Sequence, residues 1–202
     1  MTISVFEVSG SDDEEEEDPG VLNERIDLPR EIDLRNYAIM EGQPGTDIRL
    51  WTPYDLIRDR RSRTRIDKWD WLGFGSTPSG LFSKRALNVF ADLLDDFTPL
   101  PVNVEGFEYY CLRPEKRIDC LDVKKSIIVY FSPPSEDEIL AIHRYKFRQK
   151  FLKKSMVFTI PQQRPLKMFA TEPVPEIIGR SGLNGFGFPL LEGPGRTGRG
   201  WG

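Results

Sequence analysis

Ala86, Leu87, Phe90, Leu93, Leu94 and Phe97 recur at intervals of three and four residues, a spacing that an α-helix gathers on one face and a strand does not. Ser83, with Phe82 before it, supplies a helix start, because a serine hydroxyl can accept from an orphan amide of the first turn. Pro99-Leu100-Pro101 closes the stretch: the residue before a proline is pushed out of the helical region, and proline has no amide donor. The pattern predicts one main amphipathic helix over about 83–96, whose apolar face must be covered. Val102-Asn103-Val104-Glu105, Glu108-Tyr109-Tyr110-Cys111-Leu112 and Ser126-Ile127-Ile128-Val129-Tyr130-Phe131 follow it. Rich in β-branched and aromatic residues, they are expected as strands of one antiparallel sheet.

The rest of the chain points the same way. Ile3-Ser4-Val5-Phe6-Glu7-Val8 alternates apolar with polar and reads as an opening strand, stopped by Ser9-Gly10. Residues 21–57 are punctuated by Pro29, Gly42, Pro44, Gly45 and Pro53, which predicts short strands or turns rather than long helices. Trp69, Trp71, Leu72 and Phe74 form an aromatic knot whose large apolar area suits a core or lid. Ser155-Met156-Val157-Phe158-Thr159-Ile160 reads as another strand, and Thr171 as the cap of a short helix that holds Pro173 and Pro175 near its start and stops near Gly179. A strand-rich start, then helix, strands and a short helix give an α+β fold with a mostly antiparallel sheet. The 202 residues, 39% hydrophobic, suit one compact domain. It is placed at 1–190 with an acidic loop at 11–20, followed by a glycine-rich tail at 191–202 read as disordered.

The net charge of −4 conceals an asymmetry: residues 1–20 hold eight acids and no Lys or Arg, so the remainder is +4. Seven of those acids are consecutive, from Asp12 to Asp18. Such a run repels itself and stays solvated, and it can also speed association with a basic partner. Arg58, Arg60, Arg61, Arg63 and Arg65 form one basic cluster; Arg144, Lys146, Arg148, Lys150, Lys153 and Lys154, interleaved with Tyr145, Phe147 and Phe151, form another. Either could contact phosphates. A pI of 5.2 and the nearby Asp55, Asp59, Asp67 and Asp70 favour local ion pairs and solvated edges instead, so nucleic acid is not the expected partner.

No apolar run approaches the roughly 20 residues of a spanning helix, and no basic, apolar leader opens the chain; the expected location is the cytoplasm, with no membrane partner. Cys111 and Cys120 are expected as reduced, packed thiols. His143 is the one histidine, and no motif brings it to a nucleophile. Asp119 and Asp122 are expected to bond backbone amides near a turn. Gly182 and Gly185 are expected to serve tight turns with positive φ, since the longer phosphate-loop pattern is missing. The expectation is a protein without enzymatic activity, cofactor or metal.

Phe82-Ser83-Lys84-Arg85, Tyr109-Tyr110, Ile118-Asp119-Cys120-Leu121-Asp122 with Ser126, Phe158, Thr171–Ile178 and Gly182-Leu183-Asn184-Gly185-Phe186 occur in that order. Together they resemble the bacterial immunity-protein family numbered eleven, first described as a domain of unknown function and associated with polymorphic toxin systems. The resemblance spans roughly residues 69–190. In that family a Ser-charged-charged helix start follows a hydrophobic residue, a Tyr-Tyr strand leads to an Asp-x-Leu-Asp turn ending in serine, and a Gly-Leu-x-Gly motif closes the domain.

The resemblance implies a protein that binds a cognate toxin, encoded next to it, and occludes its active site. Ser83, Tyr110, Asp119, Leu121, Asp122, Ser126, Gly182, Leu183, Gly185 and Phe186 carry the motifs and are expected to be structural. For a cationic toxin, the contacts expected first are Asp12, Asp13, Glu14, Glu15, Glu16, Glu17, Asp18, Asp92, Asp95 and Asp96, with Trp51, Trp69 or Trp71 as an aromatic anchor. A regulatory or general protein-interaction module stays open as the alternative reading, and a nucleic-acid-binding protein as the third.

Overall fold

The strand-forming runs are shared among three sheets rather than gathered into one. A computed structural model describes residues 3–10, 22–24, 30–58, 66–74, 77–131, 138–154, 156–163 and 167–193. In chain order the elements are β1 (Val5–Gly10), β2 (Leu22–Glu24), α1 (Arg30–Met40), β3 (Asp55–Arg58), β4 (Trp71–Phe74), β5 (Thr77–Ser83), α2 (Lys84–Phe90), β6 (Phe97–Val104) and β7 (Phe107–Pro114). They continue with β8 (Ile127–Tyr130), β9 (Ile139–Arg144), β10 (Val157–Phe158), β11 (Met168–Thr171), α3 (Val174–Ser181), β12 (Phe186–Gly187) and β13 (Leu190–Glu192). One sheet runs β2-β3-β6-β7-β5-β4, another β10-β11-β1-β12 with β13 also on β1, and β8-β9 stand as a separate pair. All pairings are antiparallel except β3 with β6. The result is a single α+β domain, the class expected from the sequence.

β6 and β7 pair along their whole length, from Phe97 opposite Pro114 to Val104 opposite Phe107. Glu105 (φ 52) and Gly106 (φ 91) form the two-residue turn between them, the positive-φ geometry that matches the twist of a hairpin. Phe97, Leu100, Val102 and Val104 point into the core while Pro99, Pro101 and Asn103 face out. β6 therefore begins earlier than expected and contains both prolines. They are tolerated because β3 pairs only with Asn103 and Val104, so no neighbouring strand asks the prolines for an amide on that edge. The Trp51 indole N–H donates to the Pro101 carbonyl at 3.0 Å.

The main helix is correspondingly shorter than the apolar periodicity implies. Ser83 is its N-cap, accepting from the Ala86 amide at 3.0 Å, but the α-helix ends at Phe90 and a 3-10 turn, Ala91–Leu93, carries the chain on. Phe97, counted on the helical face, instead opens β6 and is buried beside Phe82, Phe90 and Leu112. A second correction is α1, an eleven-residue helix where only short strands or turns were expected. Its contact face is mixed: Ile39 and Met40 are buried in the core, and Asn36 beside them is fully buried, donating to the Thr52 carbonyl at 2.7 Å and accepting from the Thr52 amide at 3.2 Å, while Leu34 is exposed. A satisfied polar group thus takes a place on the buried face that an apolar residue would have advertised.

Thr171 ends β11 rather than capping a helix. Its hydroxyl donates to the Lys153 carbonyl at 2.7 Å and accepts from the Met156 amide at 3.0 Å. Pro173 is the N-cap of α3, and the helix passes Gly179 to end at Gly182, whose φ of 69° provides the left-handed C-cap. The start of the supposed tail is also ordered: β13 crosses the 190/191 boundary and pairs with β1, with Leu191 packed on the core. The Glu192 carboxylate accepts from the Phe147 amide at 2.7 Å. Residues 194–202, the acidic run Asp12–Asp18 and the arginines from Arg60 to Arg65 lie outside the described residues.

Candidate functional site

Asp70 lies between the 3-10 turn Ile66–Lys68 and β4, and its side chain is where the first and last motifs meet. The residue is only 4% exposed, yet its carboxylate receives four donors. Ser83 Oγ donates to Oδ1 at 2.6 Å and Arg85 Nε to the same oxygen at 3.0 Å, while the Asn184 amide donates to Oδ2 at 3.0 Å alongside an Arg85 terminal nitrogen. The main chain repeats the junction: the Ser83 amide donates to the Asp70 carbonyl at 2.9 Å and the Asp70 amide to the Asn184 carbonyl at 3.1 Å. Arg85 also donates to the Gly182 carbonyl at 2.8 Å. Burial raises the Asp70 pKa, but the hydrogen bonds from Arg85, Ser83 and Asn184 and the arginine charge outweigh it, so the carboxyl sits below its ordinary value.

Beneath this junction Phe82, Phe90 and Phe186 pack with ring centroids 5.4–5.5 Å apart. Gly185 closes the loop at φ 87°, and a Cβ there would meet the Trp71 carbonyl oxygen at 2.7 Å and the Trp69 ring at 2.9 Å. Gly185→Ala is expected to cost about 1–3 kcal/mol, from positive φ plus contact with backbone. Urea unfolding reads this out, and an unchanged midpoint would mean that the loop has another place to go. Asp70, expected to pair locally with the Arg58–Arg65 cluster, instead pairs with Arg85, fifteen residues onward. Phe82-Ser83-Lys84-Arg85 and Gly182–Phe186 carried a signal for this junction, but nothing in the sequence marked Asp70 as their common point.

In the middle motif the carboxylates bond side chains, not the backbone amides expected. The Asp119 carboxylate accepts from Gln162 Nε2 at 2.7 Å and pairs with Arg148 at 3.0 Å, and Asp122 pairs with Lys125 at 3.4 Å, so side chains rather than backbone amides hold both. The turn itself is made by the Asp122 carbonyl, which accepts from the Ser126 amide at 2.9 Å and the Ser126 hydroxyl at 2.8 Å. Leu121 is buried and forms a bridge with Phe147. The Tyr110 hydroxyl donates to Glu108, which pushes its pKa up to about 12.

Asp92, Asp95 and Asp96 line a cleft of 640 Å³ together with Lys116, Arg117, Asp119, Arg148, Lys153 and Lys154. These acids thus share their cleft with cations, which offsets the attraction a basic partner would feel from them. Trp69 is 8% exposed and part of the core, so it offers no anchor to a partner. The Trp71 ring is half-buried and lies against Gly80; Trp51 is half-buried with its indole N–H engaged. In the second basic cluster Tyr145 and Phe147 are buried and ring-stacked, facing inward while Lys146 pairs with Glu192 at 3.3 Å and Arg148 with Asp119. Tyr145 and Phe147 thus alternate inward with Lys146 and Arg148 outward, whereas Phe151 is exposed, with the Arg148 and Lys150 cations over its ring at 4.9 and 4.8 Å.

Burial pushes the Cys111 and Cys120 thiols up to about 12, so neither is a thiolate at neutral pH. His143 is exposed on β9. Among the described residues no group of three or more His, Cys, Asp or Glu could hold a metal ion, and no helix is long and apolar enough to cross a membrane. Exposed apolar residues gather along β8 and just after it, where Ile127, Val129, Tyr130 and Phe131 are all exposed. No protein-family model matches the chain, and a search of curated proteins gives no match.

Proposed function

We propose that this chain is a cytoplasmic, non-enzymatic immunity protein that binds a cognate bacterial toxin domain and covers its active site. The observation that carries the reading is the Asp70 junction. Phe82–Arg85 and Gly182–Phe186, the outer motifs of the family resemblance, are 97 residues apart between Arg85 and Gly182 and converge on one buried carboxylate. That convergence supports treating them as one unit shared through a fold. The motif residues hold strands, turns and a helix cap together, and a scaffold of this kind leaves its surface free to suit one partner. Occlusion needs only shape and charge that fit, with a few buried anchors supplying most of the affinity.

Growth of cells expressing the product of an adjacent toxin-like reading frame, with and without this chain, tests the reading. Co-expression is expected to restore growth fully. Growth arrest that persists although both proteins are made would overturn it.

A further inference from the structure

We propose that the outer edge of β8 is a docking edge, where an extended strand of the partner protein adds to the β8–β9 pair. This rests on the immunity reading for the identity of the partner, the toxin domain. Among the described residues β8 and β9 pair only with each other. Ile128 and Ile142 face each other and pack on the core formed by Val5, Phe147, Phe158 and Phe169. The register runs Ile127 to Arg144, Ile128 to Ile142, Val129 to Ala141 and Tyr130 to Ile139. β9 therefore bulges at His143 and at Leu140, while β8 advances one residue per step.

Bulges spoil an edge for further pairing, as do lysine and proline. β9 is blunted in this way and β8 is not: Ile127-Ile128-Val129-Tyr130-Phe131 has no charge, glycine or proline, and its β-branched and aromatic residues are those that pair most readily with another strand. Alternation along the regular strand puts Ile127, Val129 and Phe131 on the face away from the core, where they are 46%, 36% and 45% exposed. A two-stranded ribbon is marginal by itself, and a regular uncharged edge left open invites aggregation. Both problems end when a further strand covers the edge.

The surrounding charges describe that strand. Lys124 and Lys125 precede β8 and Arg144 stands opposite Ile127, all of them exposed; the Lys125 side chain is 77% exposed and only loosely paired with Asp122. The strand that fits places apolar residues at alternate positions along Ile127, Val129 and Phe131 and carboxylates at the end beside these cations. Main-chain hydrogen bonds then supply affinity, and the alternate side chains supply specificity.

The test uses the purified full chain and the purified product of the adjacent toxin-like frame. Hydrogen exchange at residues 127–131 is expected to slow by about tenfold or more on binding, which docking through side chains alone would not produce. The double variant Ile127→Lys/Val129→Lys is expected to weaken binding about 100-fold, with only a small drop in the urea midpoint because both side chains lie on the face away from the core. Binding that ignores the β8 substitutions, or leaves exchange at 127–131 unchanged, overturns the inference and spares the immunity reading; no binding by the parent chain overturns both. Sedimentation of the free chain as a dimer that the double variant dissolves would make the occupant a second copy and likewise overturn the inference.

Discussion

Asp70→Ala is expected to lower the unfolding free energy by about 2–4 kcal/mol. Removing one partner of a fully buried pair costs about 3–5 kcal/mol; the figure here is smaller because the Arg85 side chain is 57% exposed and can return to water. The loss comes from the other donors: the Asn184 amide and the Ser83 hydroxyl would be left short of an acceptor, and the tie between the α2 start and the Gly182–Gly185 loop would be cut. The carboxyl is held below its ordinary value in the folded chain, so its contribution is fully present above the unfolded value of about 3.9 and disappears as pH falls through the folded pKa. The difference between parent and variant should be constant from about pH 5 to 7 and narrow progressively as pH falls below about 4. Urea titrations at pH 7 and pH 3 measure it; equal stabilities at pH 7, or a gap as wide at pH 3 as at pH 7, would contradict the role assigned to the carboxylate.

Phe82→Ala is expected to cost about 3–5 kcal/mol, the transfer and cavity loss of a fully buried phenylalanine. Its ring touches both Phe90, from α2, and Phe186, from the closing loop, with centroids 5.5 and 5.4 Å away, so the cavity opens beneath the Asp70 junction. Phe82 adjoins Ser83, and the loss should be less than additive with Asp70→Ala. Phe169, in a separate core cluster against Tyr145, Phe147 and Phe158, should be equally costly alone and additive with Asp70→Ala, as sites without shared partners are. Phe82→Leu supplies a milder member of the cycle if the alanine variant does not fold. Full additivity of the Phe82 and Asp70 substitutions would mean that the two motifs do not form one cooperative unit.

What could be read from the residues was set by whether the contact was periodic and apolar. The Ser83 cap, β7 and the end of β6 announce themselves through local chemistry, and the α+β class follows from their order. α1 did not, because a buried, satisfied Asn36 shares its inner face with the core residues Ile39 and Met40 while its Leu34 is exposed, so no apolar stripe of helical period runs along it. β1, β7 and β8 were legible as strands but not in their sheets, and β9 was read only for its basic residues: nothing local says that β8 leaves β7 to pair with β9, where Ile128 and Ile142 pack on the core. Thr171 has the side chain of a cap, but tertiary bonds to Lys153 and Met156 claimed its hydroxyl first. The motifs around Ser83 and Gly182 were visible as pieces, whereas Asp70 lay hidden among neighbouring charges because its donors come from residues up to 114 positions away.

Calorimetric titration of the purified chain with the purified toxin domain, together with an assay of that toxin's activity, tests the proposed function most directly. A one-to-one complex with Kd on the order of nanomolar and stoichiometric loss of toxin activity is the expected result. A toxin that stays active in the presence of excess chain, with no heat of binding, would contradict it.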